Sequence, residues 1–364
     1  MNGFDVKPLP PRVDLETKPI LKKLTEAHRY LAELKGVAAS IPNESILINT
    51  LSLQEAKDSS AIENIVTTHD ELYKACVFAD KAINPAAKEV ARYAAALRQG
   101  FQAVRKTGLI TTNLILEIQQ TLEQNRAGFR KLPGTTLKHL ATGETVYIPP
   151  QDPQRIVELM GDLDRFINND ALSPLDPLIK AAMIHYQFES IHPFYDGNGR
   201  TGRIVNILYL VARGLLNLPI LYLSRYIIHT KADYYRLLQT VRDKGIWEEW
   251  VLYVLNGIAD TSRQTITLVE GIRRTMLDAK HRIRKQFPKI YSQDLLNNLF
   301  RHPYTKIGFL QEDLGVSRLT ATRYLDRLVT AGFLKKHRIG RSNYYVNTAL
   351  VNLLTSGTEK SKSM

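Results

Sequence analysis

Twelve consecutive residues, His192-Pro193-Phe194-Tyr195-Asp196-Gly197-Asn198-Gly199-Arg200-Thr201-Gly202-Arg203, gather the groups that phosphate chemistry needs. Gly197 and Gly199 allow a tight turn in which backbone N–H groups converge. Those donors open a helix at its positive dipole end, which suits anions. Arg200 and Arg203, three apart at the start of that helix, face the same phosphate chain. Asp196 is a hard oxygen ligand for Mg²⁺ beside this nest, with phosphates as the other ligands. His192 sits at the lip of the loop, where a neutral imidazole can take a proton from an incoming hydroxyl. Phe194 is expected to plug into the core and anchor the loop.

The run Gly197-Asn198-Gly199-Arg200-Thr201-Gly202 also fits the dinucleotide-binding pattern G-x-G-x-x-G. That reading needs a strand before it, a helix after it and an acid about 20 residues on. The preceding segment instead steps through Ile179, Met183 and Tyr186 at helical spacing. No Asp or Glu occurs between Asp196 and Asp233. The arrangement is a helix, a tight loop and another helix. Taken singly, each residue has an ordinary structural explanation; base, metal ligand, anion nest and paired cations within twelve residues carry the assignment.

The same stretch matches the signature H-x-F-x-[DE]-G-N-G-R-x-x-R at every specified position, and the sequence resembles the Fic family. The resemblance implies an all-helical core that transfers AMP from ATP to a hydroxyl of a target protein or of the enzyme itself. On that likeness His192 is the general base and Asp196 the Mg²⁺ ligand. Asn198 and the amides of Gly197, Gly199, Thr201 and Gly202 hold the α- and β-phosphates, and Arg200 and Arg203 the distal ones. A hairpin ending TVYIPP resembles the Fic flap, with Thr145, Val146, Tyr147 and Ile148 placing the target over His192. Tyr234 and Tyr235 fall where the family places nucleotide contacts, although core or surface tyrosines would read identically. Upstream, Ser59, Glu63 and Asn64 fit the inhibitory motif [ST]-x-x-x-E-[GN]. The likeness pairs Glu63 with Arg203 and keeps that arginine from the γ-phosphate, so the enzyme is expected to be autoinhibited.

The elements that must position these residues read as mainly α. Residues 1–110 form an N-terminal helical region with the inhibitory motif, entered by an extended arm and broken at Pro42-Asn43. Residues 111–270 form the Fic helical core, with a small β-hairpin near 136–148 as its flap. Thr111 or Thr112 caps its first helix. A connecting helix covers 271–289. Residues 290–350 read as a winged helix-turn-helix, its helices capped by Ser292 and Ser317 and its wing turning at Gly340. Arg318, Thr320, Thr322 and Arg323 would enter a groove, Leu319, Tyr324, Leu325 and Leu328 face the core, and Lys335, Lys336, Arg338 and Arg341 meet phosphates. Residues 351–364 are expected to form a disordered tail, its final TSGTEKSKSM being low in hydrophobicity.

Composition bounds the rest. The 364 residues are 44% hydrophobic and 23% charged, ordinary for a globular protein of two or three domains. The net charge of +13 is concentrated: residues 271–345 hold sixteen Lys/Arg against five Asp/Glu. That favours DNA as a partner of the C-terminal region, against a solvated basic surface or a protein-binding module. The single Cys76 excludes a disulfide framework and a Cys-based zinc site, and is expected to be a small core residue. IVNILYLVARGLLNLPILYL carries Arg213 centrally, so a buried helix is expected, not a membrane span. With no apolar leader in the first residues, the expected location is cytoplasmic, and a homodimer is a possible assembly. Two alternatives stand beside AMP transfer: a DNA-binding regulator whose Fic core senses nucleotide, and a Fic enzyme that removes AMP or uses another phosphate donor.

Overall fold

The computed structural model describes residues 3–77, 84–138, 142–339 and 342–359. The N-terminal region supplies α1 (Lys18–Ala38), α2 (Glu44–Ile62), α3 (His69–Val77) and α4 (Pro85–Thr107). Asn43 caps α2 by accepting from the Ser45 N–H at 3.0 Å, which is why the chain breaks at Pro42-Asn43. Then come α5 (Thr112–Glu123), the strands β1 (Leu137–Lys138) and β2 (Thr145–Tyr147), and α6 (Pro153–Asn168). Thr111 caps α5 through the Leu114 N–H. The strands pair antiparallel, with Leu137 opposite Tyr147. Residues 139–141 of this hairpin lie outside the described residues.

The centre of the molecule is α7 (Pro177–Ile191) followed by α8 (Asn198–Ala212). Both helices are buried on nearly all sides, the mark of core helices rather than surface ones. They pack against each other and against α4, α5 and α6. Next come α9 (Leu223–His229), α10 (Lys231–Lys244) and α11 (Glu248–Gln286). The single 39-residue helix α11 begins within the core expected to end at 270 and runs on through most of the connecting helix expected over 271–289. Its buried residues continue through Ile272, Met276 and Ile283, so nothing interrupts it. Along it lies α1, whose Ile20, Leu24, Ala27, Leu31 and Leu34 form one apolar stripe.

The C-terminal region holds α12 (Gln293–Arg301), β3 (Tyr304–Thr305), α13 (Ile307–Leu314), α14 (Arg318–Thr330), β4 (Lys335–Ile339), β5 (Ser342–Val346) and α15 (Thr348–Glu359). The sheet order is β3-β5-β4, all antiparallel. Ser292 and Ser317 cap α12 and α14 as expected. Ala321, Leu325 and Leu328 fill the inner face of α14, whereas Leu319 is 80% exposed beside Arg318 and Arg323, correcting its expected core position. Gly340 and Arg341, the expected wing turn, lie outside the described residues. Helix α15 also corrects the expected tail over 351–359, because Leu354 is buried and Leu353 packs against Gly271 of α11, while residues 360–364 of that tail lie outside the described residues. Cys76 is exposed, between buried Ala75 and Val77, and so is not the core residue expected. Among the described residues no helix is long and apolar enough to cross a membrane.

This C-terminal region rests directly on the N-terminal one. The Tyr304 hydroxyl donates to Asp70 at 2.7 Å, and the Lys306 ammonium donates to the Val77 carbonyl at 2.8 Å. Helix α12 packs on α2, where the Gln54 amide reaches the Leu354 carbonyl at 3.3 Å.

Candidate active site

The loop between α7 and α8 takes its shape from two left-handed residues. Gly197, at φ 74°, caps α8; His192, at φ 50°, ends α7. For histidine that conformation costs about 1–2 kcal/mol, which surrounding contacts must offset. Phe194 is fully buried against Phe129 and Phe188, anchoring the loop as its type implied. Asn198 ties the loop internally: its carbonyl accepts from the Phe194 N–H at 2.8 Å, and its amide donates to the Phe194 carbonyl at 2.8 Å. Both ends of that side chain thus take part in the turn. Thr201 is buried, and its N–H joins Gly197 at 2.9 Å.

Asp196 accepts from the Gly197 N–H at 2.7 Å, lies 3.7 Å from Arg200 Nη2 and is otherwise exposed to solvent. Arg200 and Arg203 are nearly fully buried, and neither is free. Glu63 bridges them. Its Oε1 lies 2.8 Å from Arg203 Nη2 and its Oε2 2.6 Å from Arg200 Nε. Ser59 completes the clasp, its hydroxyl accepting from Arg203 Nε at 2.7 Å and its carbonyl from Nη2 at 3.0 Å. Glu63 immediately follows α2, and Asn64 at φ 64° turns the chain away. The Lys231 ammonium, 2.6 Å from the Ile62 carbonyl, caps that helix end. Gly199 makes room for the bridge: a Cβ there would meet Glu63 Oε1 at 2.5 Å and Arg203 Nη1 at 2.8 Å. Burial is the largest influence and opposes the charge of Arg203, but Glu63, Tyr234, Tyr93 and Glu189 together outweigh it and hold the pKa above the ordinary arginine value.

The motif did not reveal two further partners of Arg200, Glu89 on α4 and Glu123 on α5, the latter at 3.0 Å. Glu123 was legible in one respect, since a carboxylate in the last turn of a helix opposes the dipole unless a cation meets it. Burial, with Asp196, Glu89 and Glu63 nearby, raises its pKa to about 6 despite Arg200. Four carboxylates thus face two guanidiniums around the loop.

His192 is half-buried. Burial, then the positive fields of Arg130 and Arg242, lower its pKa to about 3, so the imidazole is neutral near neutral pH. In the flap, Thr145 and Val146 are exposed, Ile148 is half-buried, and Tyr147 is buried. The Tyr147 hydroxyl donates to the Ser190 carbonyl at 2.6 Å, and Arg242 stacks on its ring at 3.7 Å. Tyr147 is thereby an anchor of the flap. The two tyrosines of α10 separate: Tyr234 is buried among Trp250 and Tyr253 with its hydroxyl on His185 at 2.9 Å. That packing corrects its expected place against adenine. Tyr235 remains 48% exposed.

Residues 21–102 match the Fic/DOC family N-terminal domain, 109–210 the Fic/DOC family, and 276–350 the C-terminal domain of SoFic-like protein adenylyltransferases. The chain is 32% identical over 129 residues to the protein adenylyltransferase fic-1 of Caenorhabditis elegans, covering 35% of this chain and 23% of that protein. It is 28% identical over 185 residues to a probable protein adenylyltransferase of Aquifex aeolicus, covering 50% and 54%. The chain thus spans about a quarter and about half of these relatives. A crystal structure of a Fic family protein from Desulfovibrio desulfuricans shares the fold with a TM-score of 0.58 at 21% identity, over 93% of this chain and 98% of that one. The Fic-1 structure from C. elegans superposes with a TM-score of 0.53 at 21% identity, over 69% and 73%. With its site loop, its N-terminal region and its C-terminal region each matched in order, this chain belongs to the Fic family.

Proposed function

We propose that the chain transfers AMP from ATP to a serine, threonine or tyrosine hydroxyl of a target protein or of itself, and that Glu63 holds it inactive. The observation that carries this reading is the placement of a neutral His192 and a phosphate nest on one loop, with Glu63 closing the nest's two arginines. The target's hydroxyl oxygen attacks the α-phosphorus in line and the bond to the bridging oxygen breaks. Pyrophosphate leaves, and His192 takes the hydroxyl proton. The N–H groups of Asn198, Gly199 and Arg200, which precede the first hydrogen bond of α8, orient the phosphates, and Thr145 to Ile148 of the flap orient the target segment. Tyr235, exposed on α10, is the remaining candidate for the adenine. Asp196 is the residue suited to Mg²⁺, because it projects its carboxylate beside the nest in surroundings rich in negative charge; the ion would neutralise the phosphates there.

Autoinhibition follows from charge. A triphosphate entering beside four carboxylates finds both arginines engaged, so Glu63 must leave before Arg203 can meet the γ-phosphate. A second role fits the C-terminal region, read as a winged helix-turn-helix: Arg318, Leu319 and Arg323 stand exposed on α14, and Lys335, Lys336 and Arg338 are exposed on β4. Double-stranded DNA is the partner that this basic face suits.

ATP labelled on the α- or on the γ-phosphate tests the reaction. Protein labelled from the α-position alone supports AMP transfer. Label from the γ-position points to another phosphoryl chemistry, and no label with retained DNA binding points to a nucleotide-sensing regulator.

A further inference from the structure

Arg130 is a charged side chain only 1% exposed. Among the described residues it has no ion-pair partner. Nε and Nη2 donate to backbone carbonyls instead, while the buried Nη1 has no hydrogen-bond partner among the described residues. Nε donates to His192 O at 2.8 Å; Nη2 donates to Pro150 O at 2.8 Å and to Ile191 O at 3.4 Å. Its own backbone N–H reaches Pro193 O at 2.8 Å. One residue thus joins the end of α7, the site loop and the point where the flap strand leaves the hairpin. The negative end of the α7 dipole takes the place of a carboxylate.

The position coincides with the strained residue of the loop. His192 is held left-handed without the freedom of glycine, and its carbonyl is the group that Arg130 clasps. Without that bond the left-handed turn has less to hold it, and the imidazole loses its fixed direction. The Pro150 bond sets the flap relative to the same imidazole.

We infer that Arg130 is a positioning residue for AMP transfer, clamping His192 and the flap into one geometry so that base and target hydroxyl meet. The inference rests on the reading of His192 as general base. The charged groups facing the imidazole are Arg130, from the segment after α5, and Arg242, from α10; the Glu189 carbonyl acts in the opposite sense. Removing either cation should therefore make His192 easier to protonate.

The test uses Arg130→Gln and Arg130→Lys in the full chain carrying Glu63→Gly, with rates of AMP incorporation measured against ATP concentration and pH. Arg130 touches neither the nest nor the arginines, so Arg130→Gln is expected to lower kcat about 100-fold while the KM for ATP changes less than about threefold. The acid limb of the pH profile should move to higher pH. Arg130→Lys retains the charge and should recover about tenfold, with the acid limb near its original place. Should Arg130→Gln not fold, judged by circular dichroism, Arg130→Lys carries the test through its loss of kcat at constant KM. An unchanged kcat, or a KM rising in step with any loss, overturns the inference. His192→Ala in the same background separates the two readings: if it still transfers AMP, the base assignment fails. If it is dead while Arg130→Gln is fully active, only the positioning role fails.

Discussion

Glu63 and Arg203 meet at 2.8 Å although 140 positions separate them, and the other oxygen of the same carboxylate holds Arg200. One side chain at the end of α2 therefore occupies both cations of the phosphate loop. Arg203 has one ion-pair partner among the described residues, while Arg200 has several. Removing Glu63 should thus leave Arg203 held by Ser59 without an ion-pair partner, and Arg200 still tied to α4 and α5.

That asymmetry gives a stability prediction. Arg200→Ala leaves Glu89 and Glu123 facing each other without a cation, and stability measured by chemical denaturation should fall by about 3 kcal/mol. Adding Glu123→Gln to that variant should restore part of the loss. An Arg200→Ala protein as stable as the wild type would show that the cluster is not a structural tie.

Glu189 predicts a pH dependence. Burial first, and Glu63 among its neighbours, raises its pKa to about 7, and its Oε1 has no hydrogen-bond partner. The unfolded chain ionises this group near its ordinary 4.5. Folding thus loses stability as pH rises from about 4.5 to 7, by about 3 kcal/mol in total. Glu189→Gln removes the effect, so its stability relative to wild type should improve across that window and stay level above it. Stability curves for the two proteins that remain parallel from pH 4.5 to 7.5 would contradict this placement. His192 titrates in the opposite sense: with its pKa lowered to about 3, its contribution is lost as pH falls below about 6.5.

The C-terminal region braces the segment that follows the latch. Tyr304→Phe combined with Lys306→Ala removes its bonds to Asp70 and Val77 and should raise self-labelling a few-fold. In a Glu63→Gly background the same pair should change nothing, because the latch is already gone. Equal gains in both backgrounds would mean that these bonds act elsewhere.

The basic face of α14 predicts a salt signature. Arg318→Ala with Arg323→Ala should weaken duplex DNA binding and reduce the salt slope by about 1 for each phosphate that is no longer neutralised. AMP transfer should be unaffected. Unchanged binding would move the DNA interface off this helix.

Much of the site was legible because its chemistry is local: base, acid, glycines and arginines lie within twelve residues, and a sequence shows spacing directly. Glu63 became legible only through its family motif. Helix α2 is buried on nearly all faces by polar as well as apolar residues, so no amphipathic pattern marks its importance. Arg130, Glu89, Glu123 and Arg242 reach the loop from four distant segments, and spacing along the chain says nothing of such meetings. Tyr234 failed for a related reason: whether a tyrosine faces a ligand or Trp250 is set by the packing of α10 on α11. The final residues looked unstructured by composition, yet Leu350 and Leu354, both buried, dock the chain up to residue 359.

The latch itself is most directly tested by intact-protein mass spectrometry after incubation with ATP and Mg²⁺. Glu63→Gly should gain AMP at about 5- to 150-fold the wild-type rate, the range that a coupling of 1–3 kcal/mol gives. Glu63→Gly with His192→Ala should gain none. A Glu63→Gly protein that acquires AMP no faster than wild type would contradict the latch, and an adduct that persists without His192 would contradict the chemistry.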